Sequence, residues 1–349
     1  MLKKKNTYVV AVVGATGTVG KELVEIFEER GFPVGELVPL ASERSEGERI
    51  AYMGRNWTIK RLTKESFRDV DIAFFSAGAA RSLEFVPAAV KAGAVAIDNS
   101  SAFRMDPNVP LVVPEVNAHA IARHTGIIAN PNGSTGGLVV AMNPIHAAAR
   151  ITRIVVTTFQ SVSGAGRNAI HELAQQTVSL LNFRDVEKNV HLHQIAFNCI
   201  PHIDAFLDNG STREETNIAN ETRKIMEDDS IRVTATAVSV PVFRGHSESV
   251  NIETGKKVSA NEVRAILSAA PGVVVYDDPS KNIYPLAIDV VGKDETYVGR
   301  IREDESVPNG ISLWLASDNI RKGAALNMVQ IAENLIQEKR TAEMRISGG

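Results

Sequence analysis

The chain has 349 residues, 44% of them apolar and 23% charged, with 38 lysines and arginines against 41 acidic side chains. This length exceeds what one hydrophobic core usually organises, so two domains are expected. A net charge of −3 with both signs spread along the chain gives no basic footprint for nucleic acid, and a lone cysteine, Cys199, excludes an internal disulfide or a cysteine-built metal site.

The start, Met1-Leu2-Lys3-Lys4-Lys5, is charged, but the apolar run that follows, Tyr8 to Val13, is shorter than a signal-peptide core and ends in a glycine turn. No later segment approaches the roughly 18 apolar residues of a membrane span, so a soluble cytoplasmic protein with no membrane partner is expected. The Tyr8–Val13 run itself predicts a strand buried on both faces. A helix should follow, with Val19, Leu23, Ile26 and Phe27 on its apolar stripe, Lys21, Glu22, Glu25, Glu28 and Glu29 facing water, and Gly31 as its stop. Further buried strands are predicted at Glu36–Ala41, Ile72–Phe75, Ala94–Ile97, Leu111–Val113 and Gly126–Ala129. Their alternation with helices predicts an α/β fold whose N-terminal domain, residues 1–130, is a Rossmann-type, doubly wound parallel sheet.

After Pro131 the strands lengthen, at Arg153–Phe159, Ile231–Val240, Ser247–Ile252 and Thr296–Ile301, and the partial alternation in the second of these suits a sheet with one face fully buried. Residues 131–318 are therefore assigned to a second, α+β domain. Met328, Ile331, Ala332 and Leu335 then recur at helical spacing, and residues 319–345 are assigned to a C-terminal helix packing back onto the first domain.

Gly14-Ala15-Thr16-Gly17-Thr18-Val19-Gly20 lies between the first strand and its helix. A dinucleotide pyrophosphate needs close backbone approach and a helix N-terminus offering free N–H groups, and glycines in this context provide both. Gly14, Thr16, Gly17, Thr18 and Val19 are accordingly predicted to bind cofactor; the bland alternative is a structural turn. At the end of the second strand, Ser42, Arg44 and Ser45 offer two hydroxyls and a guanidinium suited to a ribose 2′-phosphate, which favours NADP, although Glu43 argues the other way and Arg44 alone could be a solvated charge. Ser76, Ala77 and Gly78, ending another strand, are expected to line the same cleft.

Several separate segments, in order, resemble those of the aspartate-β-semialdehyde dehydrogenases. They are Asn130-Pro131-Asn132-Gly133-Ser134-Thr135, Asp98 to Met105, Phe159 to Gly166, Pro241 to Glu248 and Ser317 to Asn327, and the likeness runs through essentially the whole chain. It implies NADPH-dependent reductive dephosphorylation of β-aspartyl phosphate, in the aspartate pathway of amino-acid biosynthesis, by a cysteine thiolate that forms a thioester and a histidine that handles the proton. It also implies roles: Arg104 on phosphate, Gln160 beside the thioester, Glu214 on the substrate ammonium, His246 as general acid/base, Asn132 beside the nucleophile, Ser163 and Gly164 near the nicotinamide, and Asn319 in the closing segment. The resemblance further implies that residues 131–318 bind substrate and that the chain assembles through them into a homodimer or tetramer.

Three positions depart from the family pattern. Gly133 stands where the nucleophilic cysteine is expected, Asn217 where a phosphate-binding lysine is expected, and Ser239 where an arginine clamps the substrate carboxylate; Gly136 and Gly137 replace larger residues. Ser134 is a poor substitute nucleophile, since the family also has serine there, and Cys199 is expected to fill a small apolar site. The histidines, including His146, His171, His191 and His193, form no metal pattern. The standard reaction is therefore expected to be lost or very weak, leaving either a reductase of a different carbonyl substrate or a non-catalytic NADP-binding subunit that partners an active paralogue.

Overall fold

The computed structural model describes residues 2–347, with side chains through Gln337. The chain forms two compact units, Met1–Asn132 with Ala324–Gly349, and Gly133–Gly323.

The first unit is built on a parallel sheet of β1 (Tyr8–Val13), β2 (Val34–Ala41), the two-residue β5 (Lys60–Arg61), β6 (Ile72–Phe75), β7 (Val95–Asp98) and β8 (Ile127–Ala129), in the order β5-β2-β1-β6-β7-β8. A small antiparallel hairpin, β3 (Arg49–Tyr52) and β4 (Arg55–Thr58), precedes β5. The central strands are apolar throughout because both faces are covered: Val10, Val12, Ile72 and Phe74 face one core, Ala11, Val13, Ala73 and Phe75 the other. Helix α1 (Thr18–Arg30) closes on Gly31, whose left-handed φ of 59° lets its N–H reach back to the Phe27 and Glu28 carbonyls. The helix α2 (Ala79–Lys91) and the single turn α3 (Pro114–Asn117) follow.

The last helix, α8 (Leu326–Ser347), belongs to this unit. Leu326, Met328, Val329, Ile331, Ala332 and Leu335 are buried in one cluster with Val10, Val12, Leu23 and Phe27. Burial of each such large aliphatic side chain is worth about 1.5 to 3 kcal/mol, so the helix is integral to that core. The side chains predicted for its last residues, 338–345, lie outside the described residues. Two local expectations are corrected. Leu111–Val113 forms no strand but one isolated bridge from Leu111 to Ala129, because Pro114 lacks an N–H and starts α3. Glu22 is buried on α1 rather than facing water.

The second unit begins with α4 (Gly133–Ala149) and centres on a mixed sheet: β9 (Ile151–Ser161), β10 (Arg232–Val240), β11 (His246–Thr254), β12 (Val273–Val275), β13 (Thr296–Asp304) and β14 (Gly310–Ser317), ordered β10-β9-β11-β14-β13-β12. The pairs of β9 with β10 and β12 with β13 are parallel, and the rest antiparallel. Helices α5 (Arg167–Leu181), α6 (Arg213–Met226) and α7 (Ala260–Ser268) complete it. A reciprocal capping box, Thr212 with Glu215, fixes the start of α6 and thereby the position of Glu214. Cys199 is exposed, not packed in an apolar site, because Ile195, Ala196 and Ile200 take the inward positions of its loop. No helix among the described residues is long and apolar enough to cross a membrane.

Candidate functional site

In the first unit the carboxyl ends of β1, β2 and β6 open on a cavity of about 590 Å³ lined by Gly14, Thr16, Gly17, Ser42, Arg44, Ser76 and Ala77, with Glu43, Arg61, Arg81, Leu62 and Phe85. Gly14 has φ of 89°, and a Cβ there would lie 2.4 Å from the Ser76 carbonyl oxygen; a Cβ on Gly20 would lie 2.2 Å from the Gly14 carbonyl. Only glycine lets these strands and α1 approach so closely, which leaves the N-terminus of α1 bare. No side chain caps that N-terminus, so its N–H groups are available to an anionic group such as a pyrophosphate. The cradle thus fits a dinucleotide.

Not every predicted residue reaches the cavity. Ser45 is buried at the end of the short 3-10 turn Glu43–Ser45 and does not line it. Gly78, which precedes α2, does not line it either; Thr18 and Val19 are not among the lining residues, but as the first residues of α1 they carry N–H groups of the bare helix end. The sequence reading missed Arg61 and Arg81. Arg61 pairs with Ala41 across the β2–β5 ladder, level with the start of the Ser42–Ser45 loop, and its guanidinium lies 3.2 Å from Glu43.

Arg104, also in this unit, is buried and donates from Nε to the Asn130 carbonyl (2.9 Å) and from Nη2 to the Asn99 carbonyl (2.8 Å). Asn130 donates to the Asn99 side chain and accepts from Asn327 at 2.7 Å. The arginine therefore ties two loops together, and Asn132, two residues on, is half-buried.

The second unit carries the remaining predicted residues, and three of them, Gln160, Ser239 and His246, share one face of its sheet. Ser239 on β10 is level with Gln160 on β9, and Glu248 on β11 is level with Thr158, two residues before Gln160. His246 lies two residues before Glu248, opposite Ser317. Paired residues share a face and side chains alternate along a strand, so Thr158, Gln160, Ser239, His246 and Glu248 project together. Gln160 donates to Glu214 on α6 at 2.7 Å. Asn217, one helical turn beyond Glu214, is half-buried.

His246 is held from several sides. The Ser161 N–H donates to its Nδ1 at 3.1 Å, so the neutral ring carries its proton on Nε2. Asn319 Oδ1 accepts from the Gly245 N–H at 3.0 Å, while Asn319 Nδ2 donates to the Ser163 hydroxyl at 2.9 Å. A Cβ on Gly164 would lie 3.6 Å from the Cε1 and Nε2 edge of the ring. Burial lowers the imidazole pKa from 6.5 to about 4, outweighing the Asp318 charge and the Gly245 backbone, which act the other way. His246 is thus a neutral Nε2–H donor in this arrangement.

Glu248 was given no role from sequence. It is 2% exposed, its Oε2 has no hydrogen-bond partner, and burial together with the Glu214 charge pushes its pKa up to about 8. It is a neutral acid near pH 7. Gly133 begins α4, and a Cβ built on it would meet the Asn319 carbonyl oxygen at 3.5 Å and the Gly323 carbonyl oxygen at 3.7 Å, ordinary contact distances. There is room for a Cβ at that position.

Comparison with known proteins agrees with this division. Residues 9–124 match the semialdehyde dehydrogenase NAD binding domain, and residues 142–322 the semialdehyde dehydrogenase dimerisation domain. An aspartate-semialdehyde dehydrogenase of Aquifex aeolicus is 53% identical over 95% of this chain and 98% of its own length, and that of Bacillus subtilis is 48% identical over 93% and 96%. The crystal structure of aspartate semialdehyde dehydrogenase II complexed with ASA from Vibrio cholerae superposes with a TM-score of 0.92 at 49% identity, covering 95% of this chain and 99% of that one. On motifs, fold and likeness over nearly its whole length, the chain belongs to the aspartate-semialdehyde dehydrogenase family.

Proposed function

We propose that the chain is an NADP(H)-binding member of this family in which the standard reaction, reductive dephosphorylation of β-aspartyl phosphate, is lost or very weak. The observation that carries this reading is Gly133 at the first position of α4, where a Cβ would meet its neighbours at ordinary contact distances but none is present. Glycine cannot form a covalent intermediate. Loss of a nucleophile cost about a millionfold in rate in a protease studied for this purpose, which sets the scale.

Substrate recognition changes with it. Asn217 and Ser239 carry no positive charge, and a charged hydrogen bond is worth about 1.5 to 3 kcal/mol, so the two missing cations together weaken an anionic substrate by about 3 to 6 kcal/mol if their effects add. The bound nicotinamide would supply or accept a hydride. In this chain Gly14 and Gly17 would admit the pyrophosphate to the N-terminus of α1, and Ser42 and Arg44 would meet the adenosine ribose. Arg104 would bind an anionic substrate group, Glu214 an ammonium, and Gln160 would orient the reacting carbonyl. His246 would donate from Nε2 to a developing oxyanion, with Ser163, Gly164 and Asn319 fixing the ring and its approach.

Steady-state assay with NADPH and β-aspartyl phosphate tests the reading: turnover at rates ordinary for an enzyme would overturn it. Retention of the His246, Ser161, Ser163 and Asn319 network favours, among the alternatives, reduction of a different carbonyl compound without a covalent step. NADPH oxidation across a panel of aldehydes, abolished by His246→Ala, would support that; a protein inert alone but recovered with an active paralogue would instead be a non-catalytic subunit. We further propose assembly into a homodimer or a tetramer through the other face of the second sheet. Phe159 and Trp314 pack there with ring centres 5.4 Å apart. Light scattering of the purified chain reads the assembly, and a strict monomer would refute it.

A further inference from the structure

We infer that Glu43 and Arg61 form a displaceable pair that allows one adenosine-ribose subsite to take either a 2′-hydroxyl or a 2′-phosphate, with Glu43 receiving the hydroxyl of NAD(H), and Arg61 joining Arg44 on the phosphate of NADP(H). The inference rests on the dinucleotide reading of the first unit and goes beyond it, since that reading favours NADP and sets Glu43 against it, whereas a displaceable pair gives both cofactors a partner.

The geometry begins with β5. It is two residues long and runs parallel to β2, with Lys60 level with Leu40 and Arg61 level with Ala41. Arg61 therefore stands at the carboxyl edge of the sheet, beside the point where β2 gives way to Ser42-Glu43-Arg44. Both Glu43 and Arg61 line the same cavity as Arg44 and the Gly14–Gly17 turn. Sites for a ribose 2′-hydroxyl place an acid at the end of the second strand, and sites for a 2′-phosphate place an arginine nearby. Both are present here, and they hold each other at 3.2 Å.

The pair is readily opened. Its side chains are 53% and 72% exposed, and ion pairs in that setting contribute little because water screens both partners. A 2′-hydroxyl can donate to the Glu43 carboxylate while Arg61 stays paired with it. A 2′-phosphate, with nearly two negative charges and several acceptor oxygens, instead repels Glu43 and offers Arg61 a stronger partner, to which a planar guanidinium can donate two parallel hydrogen bonds. Glu43 then turns into solvent, which its exposure permits. Arg81, on the first turn of α2, also lines the cavity and lies 3.8 Å from Glu84, which lines it too.

Calorimetric titration of the full chain with NADP, NAD and 2′,5′-ADP at one fixed ionic strength tests this, because it requires no turnover. Arg61→Ala is expected to weaken NADP and 2′,5′-ADP by about tenfold or more, the scale of one charged hydrogen bond, and to leave NAD within about threefold. Glu43→Gln is expected to weaken NAD and leave NADP equal or tighter. Unchanged NADP affinity in Arg61→Ala, or unchanged NAD affinity in Glu43→Gln, overturns the inference while leaving the cofactor reading intact. Failure of the unaltered chain to bind either dinucleotide overturns the cofactor reading itself, and this inference with it. Equal melting temperatures of the variants confirm that each affinity change is local to the pair.

Discussion

A Cβ on Gly323 would lie 2.9 Å from the Cα of Gly133, whereas a Cβ on Gly133 meets no atom nearer than the Asn319 carbonyl oxygen at 3.5 Å. The two glycines touch, but only one of them is required to be glycine. Gly323→Ala forces a methyl group against the Gly133 backbone and is expected to destabilise the protein by about 1 to 3 kcal/mol, while Gly133→Ala, at the start of a helix, is expected to be neutral or to stabilise by up to about 1 kcal/mol. Urea unfolding of the two variants provides the comparison; equal loss in both would contradict the asymmetry.

Gly133→Cys should therefore fold normally. A thiol at the first position of α4 sits at the positive end of the helix and is expected to ionise more readily than a free cysteine. In a Cys199→Ser background, alkylation by iodoacetamide as a function of pH measures this. The single change is expected not to restore ordinary reduction of β-aspartyl phosphate, because Asn217 and Ser239 still lack the two cations. Addition of Asn217→Lys and Ser239→Arg should raise kcat/KM by about two orders of magnitude or more. Full activity from Gly133→Cys alone would show that those two positions do not matter.

Buried His246 makes stability depend on pH in a definite direction. Its pKa falls from 6.5 to about 4 on folding, so between these values the unfolded chain binds a proton that the folded chain excludes. Stability contributed by the neutral ring is complete above about pH 6.5 and is lost as the pH falls toward 4, on the order of 3 kcal/mol at the limit. His246→Asn should flatten that part of the curve. Denaturant midpoints at several pH values between 4 and 7 will show whether the difference between the two proteins changes with pH.

Glu248 works in the opposite sense. Its folded pKa of about 8 lies above the usual 4.5, so it holds a proton in the folded state that the unfolded chain releases, and stability falls as the pH rises through that window. Glu248→Gln keeps a neutral side chain of similar shape and is expected to remove this decline, becoming more stable than the parent at pH 8 and nearly equal at pH 5. A variant that is destabilised equally at both values would assign Glu248 a purely steric role.

Much of the frame could be read from the chain because its causes are local. Tyr8–Val13 and Ile72–Phe75 are apolar at consecutive positions, which only a strand covered on both sides requires, and both predicted ranges coincide with β1 and β6. Other features depend on what lies across from them. Arg61 sits in a polar two-residue strand with no pattern to detect, and it reaches the cavity only through its register with Ala41. The acid at position 22 falls on the inner side of α1 although its charge predicts the outer side, and β14, which carries serines at Ser312 and Ser317, lies outside the predicted strands. Nothing in the sequence around Glu248 sets it apart from the other acids. Its unusual state arises from burial near Glu214, a residue 34 positions away in sequence that only α6 brings close.

The contact between Gly133 and Gly323 has one more consequence. These residues are the first and last of the second unit, so the two ends of the segment lie side by side. In chain terms it is an insertion, and a short linker from Asn132 to Ala324 would excise it without asking the ends to travel. The dinucleotide cradle, with α8 supplying part of its core, could then be obtained as a free-standing module and its affinity for nucleotides weighed apart from any chemistry.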